Sequence, residues 1–359
     1  MKKVLTFVRQ DPLSLMLLAL PLTLLAESAH WPPVAVFLMA AAGIIPLASY
    51  IGKATEVLAA YTGPRIGALL NATLGNAAEL IITVVAVRAG LLELVKASIT
   101  GSILGNLLLV LGFAMVVGGA RHGIQSFDRN AAGRNAVLLV LSVLALLIPS
   151  ILSHSIGPES SLRVEALSIG VAVIMIALYG LGLLAAAQST NEETLVDDVA
   201  HESAPRWSKT SAIVILVLVT IGIVWLSEVL VNVVEPVMIG LGISEFFLGI
   251  IFIPLIGNVA EHLVAVQMAS RNKMTLSVEI AVSSSLQIAL LVAPLLVFIS
   301  LILGHPLQLI FNQFELLALM AGVLISALVS FDGESSWLEG ATLLAVYLIL
   351  GLAFFLLPG

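Results

Sequence analysis

The sequence GNAAE at Gly75–Glu79 returns 182 residues later as GNVAEH at Gly257–His262. A stretch rich in small and hydroxyl-bearing residues follows each copy, SITGSILGN from Ser98 and AVSSSLQ from Ala281. The order of these two features is therefore the same in both parts of the chain. Repetition of this kind predicts a protein built from two related halves.

The composition restricts the class of protein. Of 359 residues, 60% are hydrophobic and 10% are charged, whereas a soluble globular protein carries roughly 25% charged residues. With a mean hydropathy of +1.14, the chain is predicted to lie in a lipid bilayer. The net charge of −7 and the lack of a basic cluster exclude nucleic acid as a partner, because phosphates require clustered Lys and Arg. The chain has no cysteine, which excludes disulfides, iron–sulfur clusters and thiolate catalysis.

Eleven apolar segments follow one another along the chain, six before a long polar stretch and five after it. Each is suited to cross a hydrocarbon core about 30 Å thick as a helix. The predicted fold class is an all-α polytopic membrane protein with about 11 transmembrane helices. The segments lie near residues 12–29, 33–58, 65–88, 91–118, 134–152, 164–188, 210–233, 241–270, 275–304, 313–331 and 336–357.

These segments predict two five-helix repeats and an extra N-terminal helix. The N-terminal helix occupies residues 1–30, the first repeat 31–188 and the second repeat 210–359. Residues 1–30 also have the features of a cleavable signal peptide, but a helix that stays in the mature protein is favoured. Residues 189–209 are predicted to be an acidic cytoplasmic linker, either a short helix that gathers cations or a solvated connection. The acids of the linker are Glu192, Glu193, Asp197, Asp198 and Glu202.

The distribution of basic residues predicts the orientation. With the N-terminus in the cytoplasm, all but three of the 15 Lys and Arg residues fall on the cytoplasmic side, as the positive-inside rule requires. The C-terminus is then outside. GNAAE lies in the third segment, which runs outward, and GNVAEH lies in the eighth, which runs inward. The repeats are therefore predicted to be inverted, an architecture typical of secondary transporters. The three exceptions are Arg88, Lys96 and Arg163.

Two acids are predicted to lie deep in the membrane. Glu79 follows the start of its segment near Arg65 by 14 residues, or about 21 Å of helix, and Glu261 is comparably deep. A lone charged carboxylate at the centre of an inserting helix costs about 2.5 to 3.5 kcal/mol. No Lys or Arg occurs at matching depth in the sequence. The compensating partners are therefore predicted to be protons or a bound cation.

The remaining candidate ligands are neutral oxygens. Asn76 and Asn258 precede the two acids by three residues, so each shares a helix face with its carboxylate. Calcium takes six to eight oxygen ligands, whereas zinc and copper prefer His or Cys, so a hard divalent cation fits best. Further oxygens come from Ser102, Asn106, Ser284, Ser285 and Gln287, and Gly75, Gly257 and Pro254 are predicted to break the helices and free backbone carbonyls.

Structural roles are the alternatives for several of these residues. A single buried Glu can be a protonated hydrogen-bonding group, and small residues can serve helix packing alone. The inverted repetition favours function for Glu79 and Glu261, whereas His262 is interpreted as a packing residue or a neighbour of the ligands rather than as a ligand. Local pairs explain Glu56 beside Lys53 and Glu93 beside Lys96. Four other acids are predicted to lie near helix ends, within reach of water, namely Glu228, Glu279, Glu315 and Glu339.

At these motifs the chain resembles the calcium/proton exchanger family of the calcium/cation antiporter superfamily. The marks are GNAAE, GNVAEH, GSILGN at Gly101, SSSLQIA at Ser283 and IGKATEVLA at Ile51. The resemblance implies a ten-helix core with an extra N-terminal helix, and a central pair, Glu79 and Glu261, that binds Ca²⁺ or protons alternately. It also permits a homotrimer. The residues that it implies around the pair are Asn76, Asn258, Ser102, Asn106, Ser284 and Gln287.

The predicted function is a secondary antiporter of a microbial plasma (inner) membrane that exports Ca²⁺ in exchange for H⁺ without a cofactor. Sodium-coupled exchange is the nearest alternative, but the alanine and valine residues inside the two motifs provide few oxygen ligands for a sodium ion. A calcium channel is a second alternative, which the inverted repeat disfavours. A membrane enzyme is a third, although the segments contain no HExxH or paired Asp-rich motif.

Overall fold

A computed structural model describes residues 12–158, 161–188 and 207–357 of the chain. These residues form helices almost throughout, as the apolar composition predicts, with two strands of two residues each. The linker predicted at 189–209 lies outside the described residues as far as residue 206, with all five of its acids.

The first half begins with a 3₁₀ helix at Pro12–Leu18, which continues into the first α-helix. The α-helices that follow in this half are α1 (Ala19–Ser28), α2 (Pro33–Thr62), α3 (Pro64–Leu74), α4 (Ala77–Arg88), α5 (Leu92–Leu104), α6 (Leu111–His122), α7 (Arg129–Ile156) and α8 (Leu162–Gln188). The described α-helices of the second half are α9 (Lys209–Asn232), α10 (Val234–Leu241), α11 (Glu245–Phe247), α12 (Ile253–Ser270), α13 (Met274–Gln287), α14 (Ala293–Leu303), α15 (Gln313–Val329) and α16 (Trp337–Leu356).

Among the described residues, eight helical stretches are long and apolar enough to cross a membrane. Two shorter apolar helices, Leu13–Ser28 and Gln313–Val329, accompany them. The segment predicted at 65–88 is divided between α3 and α4. The number of crossings therefore stays a prediction. The eight stretches are Pro33–Thr62, Leu92–His122, Arg129–Ser153, Leu162–Ala185, Lys209–Asn232, Glu245–Ser270, Met274–Leu303 and Trp337–Leu356.

Three π-helical segments interrupt these long helices. One joins α5 to α6 at Gly105–Val110, one precedes α12 at Leu248–Phe252, and one joins α13 to α14 at Ile288–Val292. A π turn takes one extra residue and shifts the backbone hydrogen bonds, and such turns are frequent at functional sites. All three therefore mark places where the helical geometry is adjusted.

The two repeated motifs differ in their backbone. In the first, α3 ends at Leu74 and α4 begins at Ala77, so Gly75 lies at an interruption of the helix. In the second, α12 runs without interruption from Ile253 to Ser270. The break predicted at Gly257 is therefore wrong. Pro254 occupies the first turn of α12, directly after a π segment, where its missing N–H is tolerated.

Close helix packing holds the halves together. The pair α2 and α9 makes the most extensive contact between any two described helices. A Cβ atom on Gly43 would lie 2.8 Å from Leu226 Cδ1, and one on Gly222 would lie 2.9 Å from Leu47 Cδ1. A leucine side chain of the other helix thus packs against each glycine, which is the small-residue contact expected between helices in lipid.

Strands β1 (Gln125–Ser126) and β2 (Glu334–Ser335) pair in antiparallel register, with Gln125 opposite Ser335. The Gln125 side chain donates to the Ala269 carbonyl at 3.1 Å and to Asn272 Oδ1 at 2.8 Å. One end of α6 is thereby joined to the end of α12 and to the loop before α16.

Candidate functional site

Glu79 and Glu261 are the acids at the centre of the site. Glu79 lies in the first turn of α4 and its exposed fraction is 0%. Glu261 lies in α12 and is half-buried. The two carboxylates are near enough to interact electrostatically.

Glu79 is held by one residue from each half. The Ser102 hydroxyl, carried by α5, donates to Glu79 Oε1. Asn258 Nδ2, carried by α12, lies 3.4 Å from Glu79 Oε2 and 3.2 Å from Ser102 Oγ. The amide of the second motif therefore faces the carboxylate of the first, rather than forming an oxygen pair with its own carboxylate as the spacing predicts.

Glu261 has a closely related set of neighbours. Ser284 Oγ lies 2.6 Å from Glu261 Oε2 and 3.2 Å from Asn76 Oδ1. Asn76 Nδ2 donates to Gln287 Oε1 at 2.6 Å. Here too the asparagine of one motif reaches side chains of the other half. The serine follows its glutamate by 23 residues in both halves, so the two sets correspond.

The glycines of the two motifs make room for the opposite carboxylate. A Cβ atom on Gly75 would lie 3.3 Å from Glu261 Oε1, and one on Gly257 would lie 3.3 Å from Glu79 Cβ. A side chain at either position would press on the acid of the other half. Their shared role is close approach, whereas only Gly75 lies at a helix interruption.

Asn106 and Gln287 are both at the site, in different places. Asn106 Nδ2 donates to Ser284 Oγ at 3.0 Å, and Asn106 Oδ1 lies 3.2 Å from His262 Nε2. Asn106 belongs to a π segment, whereas Gln287 is the last residue before one. Asn106 follows Glu79 by 27 residues, whereas Gln287 follows Glu261 by 26. His262 thus neighbours Asn106, a candidate ligand, which is one of the two roles that the sequence predicts for it.

The chemistry of the site is that of oxygen ligands. Two carboxylates, two serine hydroxyls and several amide groups meet here, whereas the described residues contain no group of three or more His, Cys, Asp or Glu side chains. The ion pairs of Arg88 and Lys96 are formed with Glu228 and Glu93 at helix ends, not at the site. Such a donor set suits a hard cation such as Ca²⁺.

One acid that the sequence predicts to be accessible to water is buried. Glu315, predicted to be within reach of water, has an exposed fraction of 1%. Its position near the start of α15 suggested exposure, but α5 covers it through Thr100, whose hydroxyl lies 3.3 Å from Glu315 Oε1. No local pattern in the sequence indicates that contact, because the two residues are 215 positions apart.

Comparison with known proteins extends these observations. The family described as "Sodium/calcium exchanger protein" matches residues 32–187 and 211–356, which are close to the two predicted repeats. A Ca²⁺/H⁺ antiporter of Aphanothece halophytica is 44% identical over 357 residues, with 96% of each chain covered. A Ca²⁺/H⁺ antiporter of Bacillus subtilis (strain 168) is 44% identical over 341 residues, covering 94% of this chain and 96% of its own.

Two solved structures share the fold. The structure of native YfkE has a TM-score of 0.83 at 41% identity and covers 96% of this chain and 100% of its own. The H⁺/Ca²⁺ exchanger CAX has a TM-score of 0.75 at 17% identity, with coverage of 96% and 92%. The second likeness is one of fold alone.

Proposed function

The chain belongs to the sodium/calcium exchanger protein family, in its calcium/proton exchanger branch, and on this premise we propose that it exports Ca²⁺ from the cytoplasm in exchange for H⁺. The observation that carries the proposal is the pair of acids, Glu79 and Glu261, with hydroxyl and amide neighbours and, among the described residues, no ion pair to a Lys or Arg. One Ca²⁺ neutralises two carboxylates, and so do two protons. The two loads therefore compete for one site.

Coupling follows from the energy of the empty site. Two ionised carboxylates without a cation cost about 5 to 7 kcal/mol at the centre of a bilayer. A charged empty pair should therefore resist the change between inward- and outward-facing states, while a pair that holds Ca²⁺ or protons passes through it. Transport in one direction then requires a return with the other ion.

Protons are favoured over sodium as the counter-ion. The motif positions beside the acids are Ala77, Ala78, Val259 and Ala260, which offer no side-chain oxygen to a sodium ion. The names of the relatives at 44% identity, both Ca²⁺/H⁺ antiporters, agree with this choice. Replacing sodium with choline in the assay should leave the flux unchanged.

The proposed topology has eleven crossings, with inverted repeats at 31–188 and 210–359 after an N-terminal helix at 1–30. The N-terminus is cytoplasmic, the C-terminus is outside, and the membrane is the microbial inner membrane. In this orientation the half-buried Glu261 and the exposed Asn71 and Thr73 lie toward the cytoplasm. They support a cytoplasm-facing state of the site. A homotrimer stays a prediction of the family resemblance.

The test is Ca²⁺ uptake into everted membrane vesicles driven by an imposed pH gradient. We expect wild-type uptake, and we expect Glu79→Gln and Glu261→Gln each to reduce it by about 100-fold or more, since each variant removes one of the two charges that Ca²⁺ neutralises. Glu235→Gln, which removes a charge at an exposed position of α10, is the matched control and should retain uptake. Retained transport in both site variants would refute the proposal.

A further inference from the structure

Glu315 is a buried acid that the proposed exchange cycle does not use. Its exposed fraction is 1%, and it occupies the third position of α15. Glu315 Oε2 accepts a hydrogen bond from the Asn312 backbone N–H at 2.8 Å, and Asn312 Oδ1 accepts one from the Glu315 backbone N–H at 2.9 Å. These reciprocal bonds form a capping box at the start of the helix.

A second capping box shows what the cap alone requires. At the start of α16, Ser336 and Glu339 form the same reciprocal pair, yet Glu339 is half-buried. Glutamine serves in this motif as well as glutamate. The cap therefore accounts for Glu339 but not for an ionisable group at position 315, where burial makes a charge costly.

The other oxygen of Glu315 connects α15 to the helix of the transport site. Thr100 Oγ1, itself 0% exposed, donates to Glu315 Oε1 at 3.3 Å. Thr100 lies in α5 two residues before Ser102, whose hydroxyl donates to Glu79. Two residues correspond to about 3 Å along a helix and about 200° around it. Helix α5 is thus bonded to the transport acid on one face and to Glu315 on nearly the opposite face.

The charged groups around Glu315 provide too little positive charge to neutralise its carboxylate. Lys96 and Glu93, both on α5, interact with it electrostatically, but Lys96 is already paired with Glu93. Glu245 of α11 lies near the same end of α5, where it accepts the Leu94 N–H at 3.0 Å. One base therefore serves three acids, and a proton is the available means of neutralising the buried one.

We propose that Glu315 is a proton-responsive positioning residue that acts on the transport site through Thr100 and α5. Ionised, it offers Thr100 a charged acceptor, which makes a stronger hydrogen bond than a neutral one. Protonated, it loosens that bond, so α5 and Ser102 can shift against Glu79. In the proposed topology, Glu315 lies toward the external side, so it responds to external protons. The proposal rests on the proposed function, because it presumes exchange at Glu79 and Glu261.

The experiment measures Ca²⁺ uptake by everted vesicles as the luminal pH, which is the external pH of the cell, is varied at constant cytoplasmic-face pH. We expect Glu315→Gln to displace the midpoint of the luminal pH profile by about one pH unit or more while the maximal rate stays within about threefold of wild type. Thr100→Val, which keeps the capping box, should displace it in the same way. Glu339→Gln, the matched capping-box control, should leave the profile unchanged.

Superimposable profiles for wild type and both variants would overturn the proposal. So would a uniform loss of rate at every pH, which a purely structural role predicts, or a change confined to the Ca²⁺ concentration at half-maximal uptake. If Glu315→Gln does not reach the membrane in normal amounts, the luminal pH profile of Thr100→Val alone tests the proposal. Absence of pH-driven uptake in the wild type would instead contradict the proposed function, so the two failures are distinguishable.

Discussion

At the scale of single residues, Ser284 connects more of the site than any other hydroxyl. It lies 2.6 Å from Glu261 Oε2 and 3.2 Å from Asn76 Oδ1, and it accepts from Asn106 Nδ2 at 3.0 Å. Its single proton cannot serve both acceptors at once. A cation that binds Glu261 and the Asn76 oxygen would free the hydroxyl to join as a ligand.

Ser284→Ala is therefore expected to raise the Ca²⁺ concentration at half-maximal uptake by about tenfold or more. The change removes an oxygen that would join the cation as a ligand, and a loss of about 1.4 kcal/mol in binding free energy corresponds to a factor of ten. Initial rates of ⁴⁵Ca²⁺ uptake measure it. Ser285→Ala is the matched control, because the Ser285 hydroxyl, a candidate ligand from the sequence, bonds instead to the Ala281 and Ile103 carbonyls at 3.0 and 3.5 Å. Equal effects of the two substitutions would contradict the assigned role.

The residues of the site were predictable to the extent that they repeat. Gly75, Asn76, Glu79 and their counterparts stand out because a carboxylate in an apolar segment is costly and the pattern occurs twice. The exchange of asparagine partners between halves was not predictable, since helix spacing places Asn258 beside Glu261 and not against Glu79. Only the approach of α4 to α12 determines that contact.

At the scale of elements, the contact of α5 with the π segment at Leu248–Phe252 positions the site. A Cβ atom on Gly101 would lie 2.0 Å from the Ile250 carbonyl oxygen, so the two backbones touch. Gly249 makes the reciprocal approach to α5, where a Cβ atom would lie 2.9 Å from the Leu94 carbonyl oxygen. This contact brings Ser102 from one half beside Asn258 from the other.

Gly101→Ala should accordingly destabilise the folded protein. A methyl group at that distance forces the backbones apart, and overpacking of this kind costs about 1 to 3 kcal/mol, or about 1 to 4 °C in thermal midpoint for a chain of this length. Thermal unfolding of the detergent-purified protein measures the change. Gly170→Ala, on α8 with no atom within 4 Å of the added group, should be neutral or slightly stabilising because Ala is the better helix former. Similar midpoints for both variants would refute the close contact.

Helix existence was predictable from apolar length, but the internal irregularities were not. The π segments carry ordinary apolar sequences, such as LGIIF and IALLV, that are equally compatible with an α-helix. Pro254 suggested a broken helix, yet the adjoining π turn accommodates it and α12 continues. The register of tertiary packing decides these features, and no local pattern reports it.

At the scale of the whole molecule, the proposed orientation can be tested directly because the chain has no cysteine. Glu235→Cys should react with a membrane-impermeant maleimide in intact cells, since this exposed residue of α10 is predicted to be outside. Glu334→Cys, exposed on β2, should react only after the membrane is permeabilised. The opposite pattern would reverse the proposed topology, and labelling of both in intact cells would contradict the alternation of crossings.

The antiparallel strands β1 and β2 constrain how the molecule can move. Together with the Gln125 amide bonds to Ala269 and Asn272, they fasten α6, α12 and α16 to one another on the side predicted to face the cytoplasm. These three helices should move as one rigid body, because separating them would leave backbone N–H and C=O groups without hydrogen-bond partners. Relative motion is then left to helices outside this rigid body, such as α2 and α9, which meet through glycine–leucine contacts rather than through hydrogen bonds.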